Sequence, residues 1–405
     1  MSQVCWMQMQ KVLLVSSWTL EDSWKFAGNN WGIGLHRLCS RTGSFPPSLA
    51  YYFVEKYSSP GEVVFDPFSG KGTAPLEACR SGRIGIGNDL APEAYVITHA
   101  KVRPVPTTEV VKWAKKNRYF VENYRKNDAP EEVEIFFSKY TLRQLLAVRE
   151  LLMDDDSDLG LFVKAVLLGI LHGSSTLSLS VKCSHSFSMA PRYVERSIHR
   201  LGLKKPRRNV LDCIVRRALT LMDGYAPPIR GAAFMRDARQ TGLREESVDL
   251  IITSPPYFNM QTYAWDNWLR LWFLGYDYKE IAKRLFHTGS IERFREFIRE
   301  ALREMYRVLK WDKPCFMVLG IVRLRGERIN MADIVAPIAE EVGFTPVRII
   351  MDNIPRENKY LMYLREDQGV SREVILELHK GEAVERDVSI DWGRGVALEK
   401  RVVIA

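Results

Sequence analysis

Ser254-Pro255-Pro256-Tyr257 follows directly on the apolar run Val248-Asp249-Leu250-Ile251-Ile252-Thr253. Two successive prolines fix φ and remove two backbone donors, so the carbonyls at this strand end stay free to accept and are held rigidly. Acceptors beside an aromatic ring suit a planar ring bearing an exocyclic amine. The amine would donate to the Pro255 carbonyl and the Ser254 side chain while Tyr257 stacks on the ring face. Such an amine is a poor nucleophile because its lone pair is delocalised into the ring. Holding both N–H bonds outward returns density toward an electrophile, which is catalysis by positioning. Read alone, the tetrapeptide also fits a proline-stiffened turn.

A second constellation is Asp66-Pro67-Phe68-Ser69-Gly70-Lys71-Gly72-Thr73, between an apolar run at Val63-Val64-Phe65 and an apolar helix from Pro75. Glycines there let a backbone approach a ligand and take up positive φ. The spacing is not that of a phosphate loop, although Lys71 stands near the right place, and Pro75 occupies the third-glycine position of a dinucleotide fingerprint. What remains is a Gly-x-Gly turn with Asp89 at the end of the next strand, near the offset at which a carboxylate grips ribose hydroxyls. Many such turns merely tighten a strand-to-helix connection.

The elements that must position these residues read as an interrupted α/β pattern. From about residue 44 to 104 the chain alternates strand, loop, helix and strand, the opening of a parallel sheet. Residues 105–230 read as helices, with Thr141-Leu142-Arg143-Gln144 in the form of a capping box. From residue 231 the alternation resumes, with strands at Val248 to Thr253, Cys315 to Val322, Thr345 to Asp352 and Glu373 to His379. A helix from Ile291 to Lys310 is capped by Ser290. The expected divisions are 1–43, 44–104, 105–230, 231–380 and 381–405: an N-terminal segment, a cofactor half, a helical insertion, a catalytic half and a tail.

With 405 residues, 46% hydrophobic and 26% charged, the chain is too apolar for disorder and prompts an expectation of two to three folding units. A net charge of +9 favours an anionic partner. The run Leu161 to Leu171 is too short for a bilayer span and Val12 to Val15 lacks a cleavage site, so neither a membrane segment nor a signal peptide is expected. Six scattered cysteines, with Cys183 and His185 alone at close spacing, imply no metal and fit a reducing cytoplasm.

Taken together, the two constellations resemble the paired signatures of the S-adenosylmethionine-dependent amino-methyltransferases that modify DNA at N4 of cytosine or N6 of adenine. The resemblance covers most of residues 36–110 and 231–380. It implies a Rossmann-like class I methyltransferase fold with a mostly parallel seven-stranded sheet, an antiparallel last strand and a helical insertion. Ser44-Phe45-Pro46-Pro47-Ser48-Leu49 matches the family's segment that closes over the methionine end of the cofactor, Asp89 its ribose acid, and Arg236-Asp237-Ala238 the position that meets the adenine amine. The implied catalytic residues are Ser254, Pro255, Pro256 and Tyr257. Those implied for the cofactor are Phe45, Asp66, Pro67, Phe68, Gly70, Gly72, Thr73, Asp89, Asp237 and Ala238.

The Ser-Pro-Pro-Tyr spelling is associated with cytosine N4, and the expected reaction is methyl transfer to a cytosine flipped out of DNA. N6-adenine in DNA, an amino group in RNA, and an inactive nucleic-acid-binding subunit are the alternatives. In many members of the β group the tetrapeptide precedes the glycine loop; here the order is permuted. Pro314-Cys315 has the look of the nucleophile of C5-cytosine methyltransferases, but it begins an apolar strand and reads as core, so no covalent intermediate is expected.

Charge is uneven along the chain. From Arg192 to Arg217 nine Lys or Arg stand against Glu195 and Asp212, a net +7, densest at Lys204-Lys205-Pro206-Arg207-Arg208. Lys204, Lys205, Arg207 and Arg208 are the expected phosphate contacts, and such contacts position a strand more than they read its sequence. A second cluster, Lys112 to Lys126, carries Trp113, Tyr119 and Tyr124 as stacking candidates. Ser184, His185, Ser186 and Phe187 fit either base-edge contacts or a simple connection between helices.

Overall fold

Strands buried on both faces need apolar residues at every position, and the runs around Val64, Ile251 and Phe316 supply them. The computed structural model describes residues 18–19, 31–41, 43–182, 188–222, 226–258, 263–324, 327–352, 373–383, 388 and 390. Its strands are β1 (Trp18–Thr19), β2 (Val63–Asp66), β3 (Ile84–Asn88), β4 (Ala232–Phe234), β5 (Leu250–Thr253), β6 (Lys313–Leu324), β7 (Glu327–Asn330), β8 (Thr345–Asp352) and β9 (Glu373–Lys380). They form one sheet in the order β1-β8-β9-β6-β5-β2-β3-β4, with β7 paired to β6 off this path.

Neighbours from β4 to β6 are parallel, and β9 runs antiparallel to both β6 and β8. The seven strands from β4 to β8 are therefore the expected Rossmann-like sheet, with its antiparallel strand starting at Glu373. Two additions enlarge it: β1 pairs in parallel with β8, and β7 folds back on the far end of the long β6.

The helices of seven or more residues are α1 (Pro47–Tyr57), α2 (Thr73–Arg80), α3 (Pro92–Val102), α4 (Thr107–Asn123), α5 (Lys139–Leu152), α6 (Asp158–Ile170), α7 (Pro191–Leu201), α8 (Val210–Met222), α9 (Trp268–Leu274), α10 (Tyr278–Arg284), α11 (Ile291–Val308) and α12 (Met331–Val342). Strand side chains alternate between two covered faces. Val64, Leu250, Ile252 and Phe316 pack with Leu49 and Phe53 of α1 and Ala74 and Ala78 of α2. Phe65, Ile251, Cys315 and Met317 pack instead with Phe294, Ile298 and Leu302 of α11 and Val335 and Ile338 of α12.

Residues 105–230 contain no strand among those described, and their apolar core is continuous with Ile97 and Ala100 of α3 and with Trp268 and Leu269 of α9. Ser290 caps α11 as expected, its hydroxyl accepting from the Arg293 N–H. At α5 the cap is Ser138 and not Thr141. Thr141 lies in the first turn, where its hydroxyl donates to the Pro206 carbonyl at 3.1 Å, and Gln144 Oε1 accepts from the Val210 N–H at 2.8 Å. The segment 206–210, laid across the start of α5, takes up the side chains that a capping box would have used.

In open α/β sheets ligands bind beyond the carboxyl ends of strands where the strand order reverses. From β2 the chain moves outward to β3 and β4, whereas β5 leads the other way to β6. The reversal falls between β2 and β5. Their register, Val64 with Leu250 and Phe65 with Ile251, brings Asp66 and Thr253 out at the same end. At the opposite end Asp249 accepts from the Val63 N–H at 3.0 Å and from Lys310 Nζ at 2.8 Å, bracing the two strands.

Candidate active site

β2 ends at Asp66, whose Oδ1 accepts from the Phe68 N–H at 3.1 Å and from the Thr253 hydroxyl at 2.7 Å. Burial pushes this carboxyl up to about 7, against the two hydrogen bonds and with some help from the Asp89 charge. The loop then turns through Gly70 and Gly72 at φ +52° and +69°, the left-handed region that glycine enters freely. A Cβ on Gly72 would stand 2.8 Å from Thr98 Oγ1.

β3 carries glycines for a different reason. A Cβ on Gly85 would strike the Pro75 carbonyl and one on Gly87 would lie 2.5 Å from Thr98 Cγ2. Their absence lets α2 and α3 press against the strand and seat the loop. Asp89, just beyond β3, grips that loop: Oδ2 accepts from the Gly70 N–H at 2.9 Å and Oδ1 from the Ala91 N–H at 2.9 Å. The Thr73 hydroxyl, in the first turn of α2, is buried without a hydrogen-bond partner among the described residues. A carboxylate that holds a glycine turn, with an unsatisfied hydroxyl at a helix N-terminus, is a donor and acceptor set that fits a nucleoside with a charged tail.

Two residues outside the expected set hold this half together. Asn88 Nδ2 donates to the carbonyls of Pro67 and Arg236, at 3.2 and 2.9 Å, and its Oδ1 accepts from the Arg236 N–H. It thus ties the glycine loop to the segment containing Asp237. Arg41 lies between Asp89 and Glu93, with nitrogens 3.8 and 3.4 Å from their carboxylates, and its guanidinium sits 5.8 Å from the centre of the Tyr263 ring. An isolated polar residue closing the run Ile84-Gly85-Ile86-Gly87 is the sequence signal for Asn88; Arg41 has none.

Other expected cofactor residues have mixed surroundings. Pro67 is buried and Phe68 half-buried, its ring 5.9 Å from that of Phe297. Phe45 packs in the core with Leu49 and Phe53. Ala238 is buried. Asp237 accepts from the Arg239 N–H, Nε and Nη2, and these hydrogen bonds hold its carboxyl below the usual range.

Across the crevice β5 passes into Ser254, Pro255, Pro256 and Tyr257, of which Pro255 is buried and the others half-buried. Ser254 Oγ donates to the Tyr257 hydroxyl at 3.4 Å, and that hydroxyl donates to Glu373 Oε1 at 3.3 Å. Burial, reinforced by Glu373, keeps the Tyr257 phenol well above its usual pKa. Phe258 anchors the turn against Phe294, with ring centres 5.8 Å apart. Trp268 and Arg270 are core residues: the Trp268 indole donates to the Met189 carbonyl and Arg270 to Asn267 Oδ1.

Cys315 is fully buried in β6, and burial pushes its thiol far up, which leaves no thiolate for a nucleophilic role. Among the described residues no group of side chains is arranged to hold a metal, and no helix is long and apolar enough to cross a membrane. Cys183 to Phe187 lie outside the described residues.

The basic strap after α7 is exposed at Lys204, Lys205 and Arg207 and half-buried at Arg208. Lys205 Nζ donates to the Glu134 carbonyl, the Arg207 guanidinium covers the Tyr140 ring at 4.4 Å, and the Arg208 N–H donates to Thr141 Oγ1. The strap is therefore pinned to α5 and the turn before it by the Arg208 backbone, the Lys205 ammonium and the Arg207 guanidinium. The cluster on and after α4 is different. Lys112 pairs with Glu109, Arg118 with Glu122 and Asp212, and Lys126 with Glu150. Tyr124 is buried with its hydroxyl on Glu150, so its ring is not open for stacking, whereas Tyr119 is exposed.

A family model described as DNA methylase matches residues 8–101. Among curated proteins, the Type II methyltransferase M.MjaII of Methanocaldococcus jannaschii is 26% identical over 110 residues, 26% of this chain and 21% of its own. M.MvaI of Kocuria varians is 22% identical over 236 residues, 53% of this chain and 51% of its own. M.AvaI of Nostoc sp. is 23% identical over 396 residues, 76% of this chain and 78% of its own. The chain thus spans about a fifth and about half of the length of the first two.

Proposed function

Because the chain belongs to the DNA amino-methyltransferase family, we propose that it transfers a methyl group from S-adenosylmethionine to the exocyclic N4 amine of a cytosine flipped out of DNA. One observation carries the reading: the glycine loop and the Ser-Pro-Pro-Tyr turn leave neighbouring parallel strands at the reversal of strand order, joined by the Thr253 to Asp66 hydrogen bond of 2.7 Å.

Bound S-adenosylmethionine would supply an electrophilic methyl group. The residues that would hold it are Asp89 at the ribose, the backbone of Gly70 and Gly72 and the Thr73 hydroxyl at the charged tail, and the segments of Phe45, Asp66 to Phe68, Asp237 and Ala238 around the remainder. Because Asp237 is engaged by Arg239, its part requires that ion pair to open or the backbone of Ala238 to act in its place. On the other side the Pro255 carbonyl and Ser254 accept the two N–H bonds of the target amine while Pro256 stiffens the turn. The Tyr257 ring stacks on the base. The Ser spelling, through its family association, favours cytosine over adenine.

DNA would lie along the helical insertion, residues 105–230, with Lys204, Lys205, Arg207 and Arg208 toward phosphates. Residues 44–104 would form the cofactor half and 231–380 the catalytic half. Calorimetric titration with S-adenosylmethionine, followed by transfer of a labelled methyl group to DNA and to RNA, tests the reading. Uptake of the cofactor with transfer to DNA is expected. A chain that takes up no cofactor is instead an inactive binding subunit, and transfer to RNA alone would move the substrate class.

A further inference from the structure

Methylation of an amine leaves one proton too many on the nitrogen. The nitrogen lone pair forms the new N–C bond, the pair of the breaking S–C bond stays on the donor sulfur, and the nitrogen is cationic until one of its N–H bonds gives up a proton and leaves its pair on nitrogen. Ser254 Oγ, the group read above as facing that amine, is the first member of a directed chain. It donates to Tyr257 Oη at 3.4 Å, and Tyr257 Oη donates to Glu373 Oε1 at 3.3 Å. Both hydrogen bonds point the same way, toward a carboxylate, and the Ser254 oxygen keeps its lone pairs for a proton arriving from the other side.

We propose that Ser254, Tyr257 and Glu373 form a proton relay that carries the amine proton of the target base to the Glu373 carboxylate. The proposal rests on the methyl-transfer reading above. The balance is simple: the nitrogen gives its proton to Ser254 Oγ, the Ser254 proton moves to Tyr257 Oη, and the Tyr257 proton moves to Glu373, which becomes a neutral carboxylic acid. Serine and tyrosine end as they began, and the acid returns its proton to water before the next turnover.

Glu373 comes from the first residue of β9, opposite Gly320 of β6 and 116 residues after Tyr257. Nothing in the tetrapeptide points to it. It touches neither base nor cofactor in this scheme and acts through Tyr257, so its role must be separated from merely holding the ring in place. Glutamine at this position still accepts the Tyr257 hydrogen bond but cannot take a proton.

The test compares the wild type with Glu373→Gln, Tyr257→Phe and the double variant in single-turnover methyl transfer to whichever base the wild type modifies. Equilibrium affinity for S-adenosylmethionine and for target DNA is measured by calorimetry and fluorescence. The relay predicts that Glu373→Gln lowers the transfer rate by about 100-fold, a typical contribution of proton transfer, with both affinities and the KM for DNA within about twofold of wild type. The Phe variant should fall similarly, and the double variant no further than the worse single one. A Glu373→Gln rate within twofold of wild type, or losses that multiply in the double variant, overturns the relay. A wild-type protein that methylates no base refutes the parent reading instead, and shows itself before any variant is made.

Discussion

Thr253 Oγ1 donates to Asp66 Oδ1 at 2.7 Å, a hydrogen bond between residues 187 apart in sequence. It closes the crevice at its floor, because Asp66 begins the glycine loop and Thr253 ends the strand that feeds the Ser-Pro-Pro-Tyr turn. Asp66 is wholly buried, and burial pushes its carboxyl up to about 7 although the Thr253 hydrogen bond works the other way.

That shift makes stability depend on pH. In the unfolded chain the carboxyl titrates near 3.9, so between about pH 4 and pH 7 the folded state holds a proton that the unfolded state has lost. Stability from this group is therefore present at low pH and declines as pH rises toward 7, by at most roughly 4 kcal/mol. Asp66→Asn keeps an acceptor for Thr253 and removes the titration. Urea unfolding across this window should show a downward slope in the wild type that is flatter in the variant.

Gly72→Ala places a methyl group 2.8 Å from Thr98 Oγ1 at a φ of +69°. The loop must shift, and S-adenosylmethionine affinity should fall by about tenfold or more, since left-handed strain alone costs about 1 to 2 kcal/mol. Asp89→Ala removes the acceptor of the Gly70 N–H along with the proposed ribose contact, and should weaken cofactor binding by about 10-fold to 100-fold. Calorimetry reads both, and DNA affinity should stay unchanged.

The turn should behave in the opposite way. Ser254→Ala and Tyr257→Ala are expected to lower turnover while cofactor affinity holds. Tyr257→Ala should also weaken capture of the flipped base by about 1 to 3 kcal/mol, the usual worth of one stacked aromatic. Parallel cofactor titration and labelled transfer separate the two effects.

The strap Lys204, Lys205, Arg207 and Arg208 should govern salt sensitivity more than sequence choice. Replacing each by alanine should reduce the slope of log affinity against log salt by about 0.9 for every phosphate that is no longer neutralised. DNA titrations between low and physiological salt check this. The α4 side chains Lys112 and Arg118, already paired with acids, should change the slope little.

Local chemistry explains which features could be read in the sequence. The strand, loop and helix around Asp66 to Pro75, the Ser290 cap and the strand from Glu373 were legible because period and punctuation act over a few residues, whereas the antiparallel direction of that strand followed from the family resemblance alone. Thr141 misled because a capping box is recognised locally, whereas a strap from residue 206 claimed its hydroxyl. Arg41 and Glu373 lay beyond reach for the same reason: each matters through a partner far along the chain, Glu93 and Tyr257. In the second basic cluster Arg118 and Lys126 are partly neutralised by Asp212 and Glu150, acids that stand on other elements.

Incubation of the intact protein with labelled S-adenosylmethionine and DNA, then nucleoside mass spectrometry, reads out which atom of which base receives the methyl group. N4-methylcytosine is the predicted product. N6-methyladenine would keep the amine chemistry and overturn the choice of base, while 5-methylcytosine alone, or no methylated base at all, would contradict the account.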